Sequence, residues 1–182
     1  ARKYQGVTLN DLQKLLDSKI HELRLTALLI LVSKFRKADE KEKKAIVNFY
    51  LKNTKKINNW DLVDLSASYI LGEFYLNKDK GTIYKLAHSK NLWEKRMAII
   101  STFWFIRNNQ FLDTLKITEL LLNDKHDLIH KACGWMLREV GKKDLKTERD
   151  FLDKYYKTMP RTMLRYAIEK FPEEKRKSYL KK

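Results

Sequence analysis

With 182 residues, 43% of them hydrophobic, the chain can bury a core of useful size and is too apolar to stay disordered. Its 5 Gly and 2 Pro are too few for the turns of a β-sandwich, so an all-α fold is expected over a single domain, residues 1–182. Lys and Arg number 39 against 23 Asp and Glu, and the resulting net charge of +16 opposes a compact state unless a polyanion neutralises it; nucleic acid is the first class of partner this suggests and an anionic membrane surface the second.

In chain order, Leu9 to Leu16 has helical periodicity, with Thr8 and Asp11 spaced as a capping box. His21 to Phe35 reads as a longer apolar helix and Lys41 to Leu51 as an amphipathic one. Trp60 to Leu76 reads as one long helix capped by Asn58 or Asn59. Thr82 to Ala87, Leu92 to Arg107 and Leu112 to Leu122 follow. Leu128 to Val140 is expected to stop at Gly141 as a left-handed C-cap. Glu148 to Tyr156 precedes a helix opened by Pro160 and closed at Phe171 before Pro172, and the charged tail, residues 173–182, reads as a final helix or a frayed end. The longest apolar run, Leu25 to Val32, is far short of the about 20 residues a membrane span needs. The single Cys133 excludes an internal disulfide and suits a reducing compartment, so a cytoplasmic, nucleoid-associated location is expected.

Very apolar helices alternate with shorter polar ones. Ala27, Ala67, Ala98, Ala132 and Ala167 mark the apolar set at spacings of 40, 31, 34 and 35 residues. That period fits helix-pair repeats, so the expected architecture is an α-solenoid of degenerate HEAT-like repeats with a basic concave groove; a compact bundle is the alternative, but bundles have no reason to repeat. No recognition helix for a major groove is evident, which favours contacts to the nucleic-acid backbone.

On the helix beginning at Trp60, Val63, Ala67, Ile70 and Phe74 make the core stripe. Trp60, Asp64, Ser68 and Gly72 share another face, where the small residues would admit a close ligand. An acid in a basic groove repels phosphate, so Asp64 is there either to meet a cationic ligand or to pair with an arginine of a neighbouring repeat, Arg24 or Arg96. Arg96 is itself open to two readings, a phosphate contact or that ion pair. Trp135, beside Gly134, and Trp60 are each either core or site; Trp93 and Trp104 read as core. His126 and His130 are one helical turn apart but have no third ligand nearby, so no metal and no cofactor are expected.

Three stretches carry a family resemblance: Trp60-Asp61-Leu62-Val63-Asp64, Leu92-Trp93-Glu94-Lys95-Arg96-Met97-Ala98, and Lys131-Ala132-Cys133-Gly134-Trp135-Met136-Leu137-Arg138-Glu139. They resemble signature stretches of the AlkD-type alkylpurine DNA glycosylases, and His21-Glu22-Leu23-Arg24 is similar too. The resemblance implies a HEAT-like fold and hydrolysis of the N-glycosidic bond of cationic alkylated purines, 3-methyladenine and 7-methylguanine, in double-stranded DNA, without a closed pocket for the base. It assigns the catalytic carboxylate to Asp64, the site tryptophans to Trp60 and Trp135, and DNA contact to Arg96; Lys95, Lys131 and Arg138 in the same stretches are further DNA-binding candidates. Members carry extra helices ahead of the first stretch, which this chain is expected to lack. A monomer is expected. A non-catalytic DNA-binding solenoid and a helical-repeat scaffold for protein partners remain the rival functions.

Overall fold

A computed structural model describes residues 6–181, and among them all regular structure is helical. Helix α1 (Leu9–Leu16) starts at the expected capping box, in which Thr8 and Asp11 satisfy each other's backbone N–H groups. Helix α2 spans His21–Phe35 as read from the sequence, and α3 (Glu40–Lys52) opens at a second capping box between Asp39 and Glu42. After a 3₁₀ turn at Thr54–Lys56 comes α4, Trp60–Asp64, with Asn59 as its cap.

The long helix expected from Trp60 to Leu76 is interrupted directly after Asp64. Ser66 supplies the cause. Its hydroxyl bonds back to the Leu62 carbonyl and lies 2.7 Å from the Tyr50 hydroxyl, a side-chain competition with the backbone ladder that bends helices. The chain resumes as a π-helical segment, Ser68–Gly72, and ends in the short α5, Glu73–Tyr75.

Helices α6 (Gly81–Ala87), α7 (Leu92–Arg107) and α8 (Leu112–Leu120) follow. Next come α9 (Asp127–Lys143), α10 (Leu145–Tyr155), α11 (Arg161–Ala167) with a 3₁₀ extension at Ile168–Lys170, and α12 (Glu173–Leu180). The tail is therefore a helix; its last predicted residue, Lys182, lies outside the described residues. Helix α9 runs through Gly141 rather than stopping there, and Gly141 has no positive φ. A methyl at Gly141 would sit 1.7 Å from Oε2 of Glu148, so this glycine makes room for a buried carboxyl on α10 instead of reversing the chain.

The apolar helices stack in order: α2 on α4 and the π segment, these on α7, then α9, then α11. Ala27, Ala67, Ala98, Ala132 and Ala167 are all buried along this stack, within one apolar cluster that runs from Leu12 to Phe171. Helices α1, α3, α6, α8 and α10 pack against this inner row, giving the alternation of an all-α, solenoid-like fold.

Two glycines set the closest approaches in the row. A Cβ on Gly72 would meet the Ser101 carbonyl at 2.4 Å, and one on Gly134 the Met163 carbonyl at 2.4 Å. Both are packed by a neighbouring helix, so Gly72 and the buried Ser68 are not the ligand-facing positions that their four-residue spacing from Asp64 suggested. Polar pairs rivet one repeat to the next: His21 Nε2 to Asp61 at 2.7 Å, Lys43 to Glu73 at 2.7 Å, the Thr54 hydroxyl to Glu94 at 2.7 Å and the Tyr84 hydroxyl to Asp113 at 2.8 Å.

Candidate nucleic-acid interface

Helix α9 presents Leu128, Lys131, Trp135 and Arg138 as one stripe, at the three- and four-residue spacing of a single helix face. This stripe forms one wall of a cleft of about 330 Å³ completed by Trp60 of α4, Arg96 of α7 and Tyr166 of α11. Five of the seven residues singled out in the sequence, Trp60, Trp135, Arg96, Lys131 and Arg138, thus meet in one place although they span 79 positions of chain.

The sixth, Asp64, stands behind Arg96. The Arg96 guanidinium donates through Nε and Nη2 to the two carboxylate oxygens at 2.9 and 2.8 Å, a bidentate pair. Its Nη1 donates to the Leu128 carbonyl of α9. The pair is largely out of water, with side-chain exposures of 6% for Arg96 and 14% for Asp64. Burial pushes the Asp64 carboxyl above its ordinary pKa; the Arg96 guanidinium pulls it back part of the way, and the neighbouring Asp61 carboxylate adds to the rise. Asp61 is in turn held by His21 of α2. Of the alternatives the sequence left for Asp64, the arginine pair is therefore present and the arginine is Arg96; Arg24 instead reaches the Ser18 carbonyl.

Lys95 does not line the cleft. Adjacent residues on a helix point about 100° apart, and while Arg96 turns inward to Asp64, the Lys95 ammonium pairs with Asp124. Lys131 reaches Asp127 at 2.7 Å on its own helix, and Arg138 pairs with Glu169 beyond α11. The cleft cations are thus each tethered by an acid, which fixes where their charge lies.

The two tryptophans differ. Trp60 is 53% exposed in the first turn of its short helix. Trp135 is half-buried, its ring tilted on Phe103 with centroids 6.0 Å apart, and its indole N–H donates to Glu139 at 3.1 Å. Glu139, which the sequence offered only as part of a motif, fixes the plane of that ring. Trp93 and Trp104 pack partly buried around α7, the latter edge-on to Tyr69. His126 caps α9 by accepting from the Leu128 N–H, and His130 meets the Asp124 carbonyl. Among the described residues no cluster of three or more His, Cys, Asp or Glu is arranged to hold a metal ion, and no helix is long and apolar enough to cross a membrane.

A family model described as DNA alkylation repair enzyme matches residues 2–171. Comparison with curated proteins and with solved structures gives no match.

Proposed function

The chain belongs to the DNA alkylation repair enzyme family, and from that premise we propose that it is a DNA glycosylase, acting as a single-domain monomer, that hydrolyses the N-glycosidic bond of cationic alkylated purines in double-stranded DNA. The observation that carries this reading is the cleft itself: two tryptophans, three cations and, one ion pair behind them, a buried carboxylate.

Alkylation at N3 of adenine or N7 of guanine makes the base cationic. When the bond from C1′ breaks, its electron pair goes to the purine, which leaves neutral, and positive charge develops on the sugar. A carboxylate facing that charge stabilises the transition state more than the ground state. Asp64 takes this role and orients the water whose oxygen attacks C1′; the proton that water loses passes to the carboxylate or to solvent. Arg96 holds both oxygens of that carboxylate in a fixed orientation and favours its ionised form against burial. Trp60 and Trp135 offer ring faces to the cationic nucleotide, contacts of about 0.5–2 kcal/mol each. Lys131 and Arg138 meet flanking phosphates, as does Arg96 to the extent that its N–H groups are not engaged by Asp64 and Leu128.

The test is release of free base from duplex DNA carrying one N7-methylguanine, beside Asp64→Asn. Release that falls by about 10²–10³ in the variant, with DNA binding retained, is expected. Release that is absent from the parent, despite salt-sensitive binding, supports a second reading: a non-catalytic DNA-binding solenoid. The feature favouring that reading is the buried bidentate pair, since both carboxylate oxygens of Asp64 already have a partner.

A further inference from the structure

Tyr166 is a cleft residue that neither the periodicity nor the signature stretches marked. It is 36% exposed and lines the same cavity as Trp135, Lys131 and Arg138. Its position is built by the helix packing beneath it. Gly134 has no side chain to hold α11 away, and a Cβ there would fall 2.6 Å from the Tyr166 Cβ. The base of the Tyr166 side chain, its Cβ, is therefore rooted against the α9 backbone one residue from Trp135.

Two cations share the neighbourhood. Arg138 Nη1 donates to the Tyr166 carbonyl at 3.4 Å, and Tyr166 lies near enough to Lys131 to act on its charge. The hydroxyls of Tyr84, Tyr155 and Tyr179 each donate to a carboxylate, whereas those of Tyr69, Tyr75, Tyr156 and Tyr166 make no hydrogen bond to the described residues; of these four, Tyr166 is the one that lines the cleft. A partly exposed phenol in a cleft that Lys131 and Arg138 also line, with its donor unused, is suited to an anionic acceptor that approaches from the cleft.

We propose that Tyr166 is a positioning residue whose hydroxyl donates to a backbone phosphate oxygen of the DNA strand in the cleft, between Lys131 and Arg138, while its ring extends the aromatic wall begun by Trp135. The assignment rests on the glycosylase reading for the identity of the strand but not for the binding contact.

The experiment measures affinity for duplex DNA containing a tetrahydrofuran abasic-site analogue, across a salt series, for the parent, Tyr166→Phe and Lys131→Ala. The Phe variant keeps both the ring and the Cβ that packs on Gly134, and an unchanged thermal midpoint confirms its fold. It should bind at least about tenfold more weakly, the loss of one hydrogen bond to a charged acceptor. The slope of log affinity against log salt should not change, because no cation is removed; Lys131→Ala should lower that slope by about one. Single-turnover base release from N7-methylguanine duplex should need correspondingly more protein for half-saturation than with the parent, so that the effect is read as binding. An affinity for Tyr166→Phe equal to the parent's, or a reduced saturated rate at equal affinity, overturns the proposal. Absence of base release from the parent overturns the glycosylase reading alone, since the affinity comparison is made on DNA that has no base to release.

Discussion

Two desolvated carboxyls, one largely buried behind the cleft and one fully buried at the junction of α9 and α10, meet the same physical problem differently. Asp64 has a guanidinium on both oxygens. Glu148 is 2% exposed, its Oε1 has no hydrogen-bond partner among the described residues, and its nearest cations, Arg138 and Arg149, act only at a distance. Desolvation raises both. At Asp64 the Arg96 pair opposes the rise, while at Glu148, with no such partner, the carboxyl is pushed up to about 8. An arginine clamp favours the anion of a desolvated acid; without one, desolvation favours the neutral carboxyl. The comparison separates a carboxylate suited to electrostatic chemistry from a carboxyl that serves as packing.

The largest effect should come from removing the clamp. Arg96→Met leaves Asp64 buried and uncompensated, and should cost about 3–5 kcal/mol in denaturant unfolding, whereas Asp64→Leu combined with Arg96→Met should recover most of that loss. A single-variant cost near zero would mean that the pair is hydrated in solution and would remove the contrast with Glu148.

The Glu148 side is read through pH. Its folded pKa lies above the unfolded value of about 4.5, so the folded state keeps a proton that the unfolded chain has lost. Its contribution to stability is present below about pH 4.5 and is lost as pH rises to about 8, at roughly 1.4 kcal/mol per pH unit between them. In Glu148→Gln that fall should flatten relative to the parent, as measured by unfolding at pH 5, 6, 7 and 8; an identical slope in both proteins would show that the carboxyl ionises in place.

Activity gives the same contrast a sharper form. If Asp64 works as an anion, base release should decline on acidification, at a higher pH than an ordinary carboxylate would give, because its pKa is raised. Glu148→Gln should leave that acid limb where it is.

The smallest effect concerns the tryptophans. Trp60→Ala should change stability by less than about 0.5 kcal/mol, as for exposed side chains generally. Trp135→Ala, which strips a ring from Phe103, should cost about 1–3 kcal/mol. Both should slow base release, and equal stability losses would show that Trp60 is packed in solution.

Much of this was legible in the sequence wherever local rules decide. Periodicity and capping chemistry gave α1, α2 and α7 to the residue, and the recurring alanines gave the repeat. What escaped depended on partners distant in the chain. Ser66 reads as one more small residue until Tyr50 and the Leu62 carbonyl are placed beside it, so the break after Asp64 was invisible. Gly141 looked like a helix stop because nothing local reveals that Glu148 fills its missing side chain. Lys95 and Arg96 are equally basic neighbours, and only helix phase and the position of Asp124 separate them. The choice for Asp64 between a cationic ligand and an arginine stayed open because it turns on the register of α4 against α7. Tyr166 belongs to no pattern and enters the cleft through Gly134 alone.

The two glycine contacts in the inner row have a mechanical consequence. At Gly72 and again at Gly134, one helix rests on the carbonyl of the next with no side chain between them to compress. Backbone against backbone is the stiffest joint a protein offers, since neither surface has a rotamer to change. The inner row therefore acts like an arch whose stones already touch, which can be levered open but not tightened. If duplex DNA binds along this row as proposed, the DNA rather than the row is the partner that must deform, and a damaged, poorly stacked base would ease that bending.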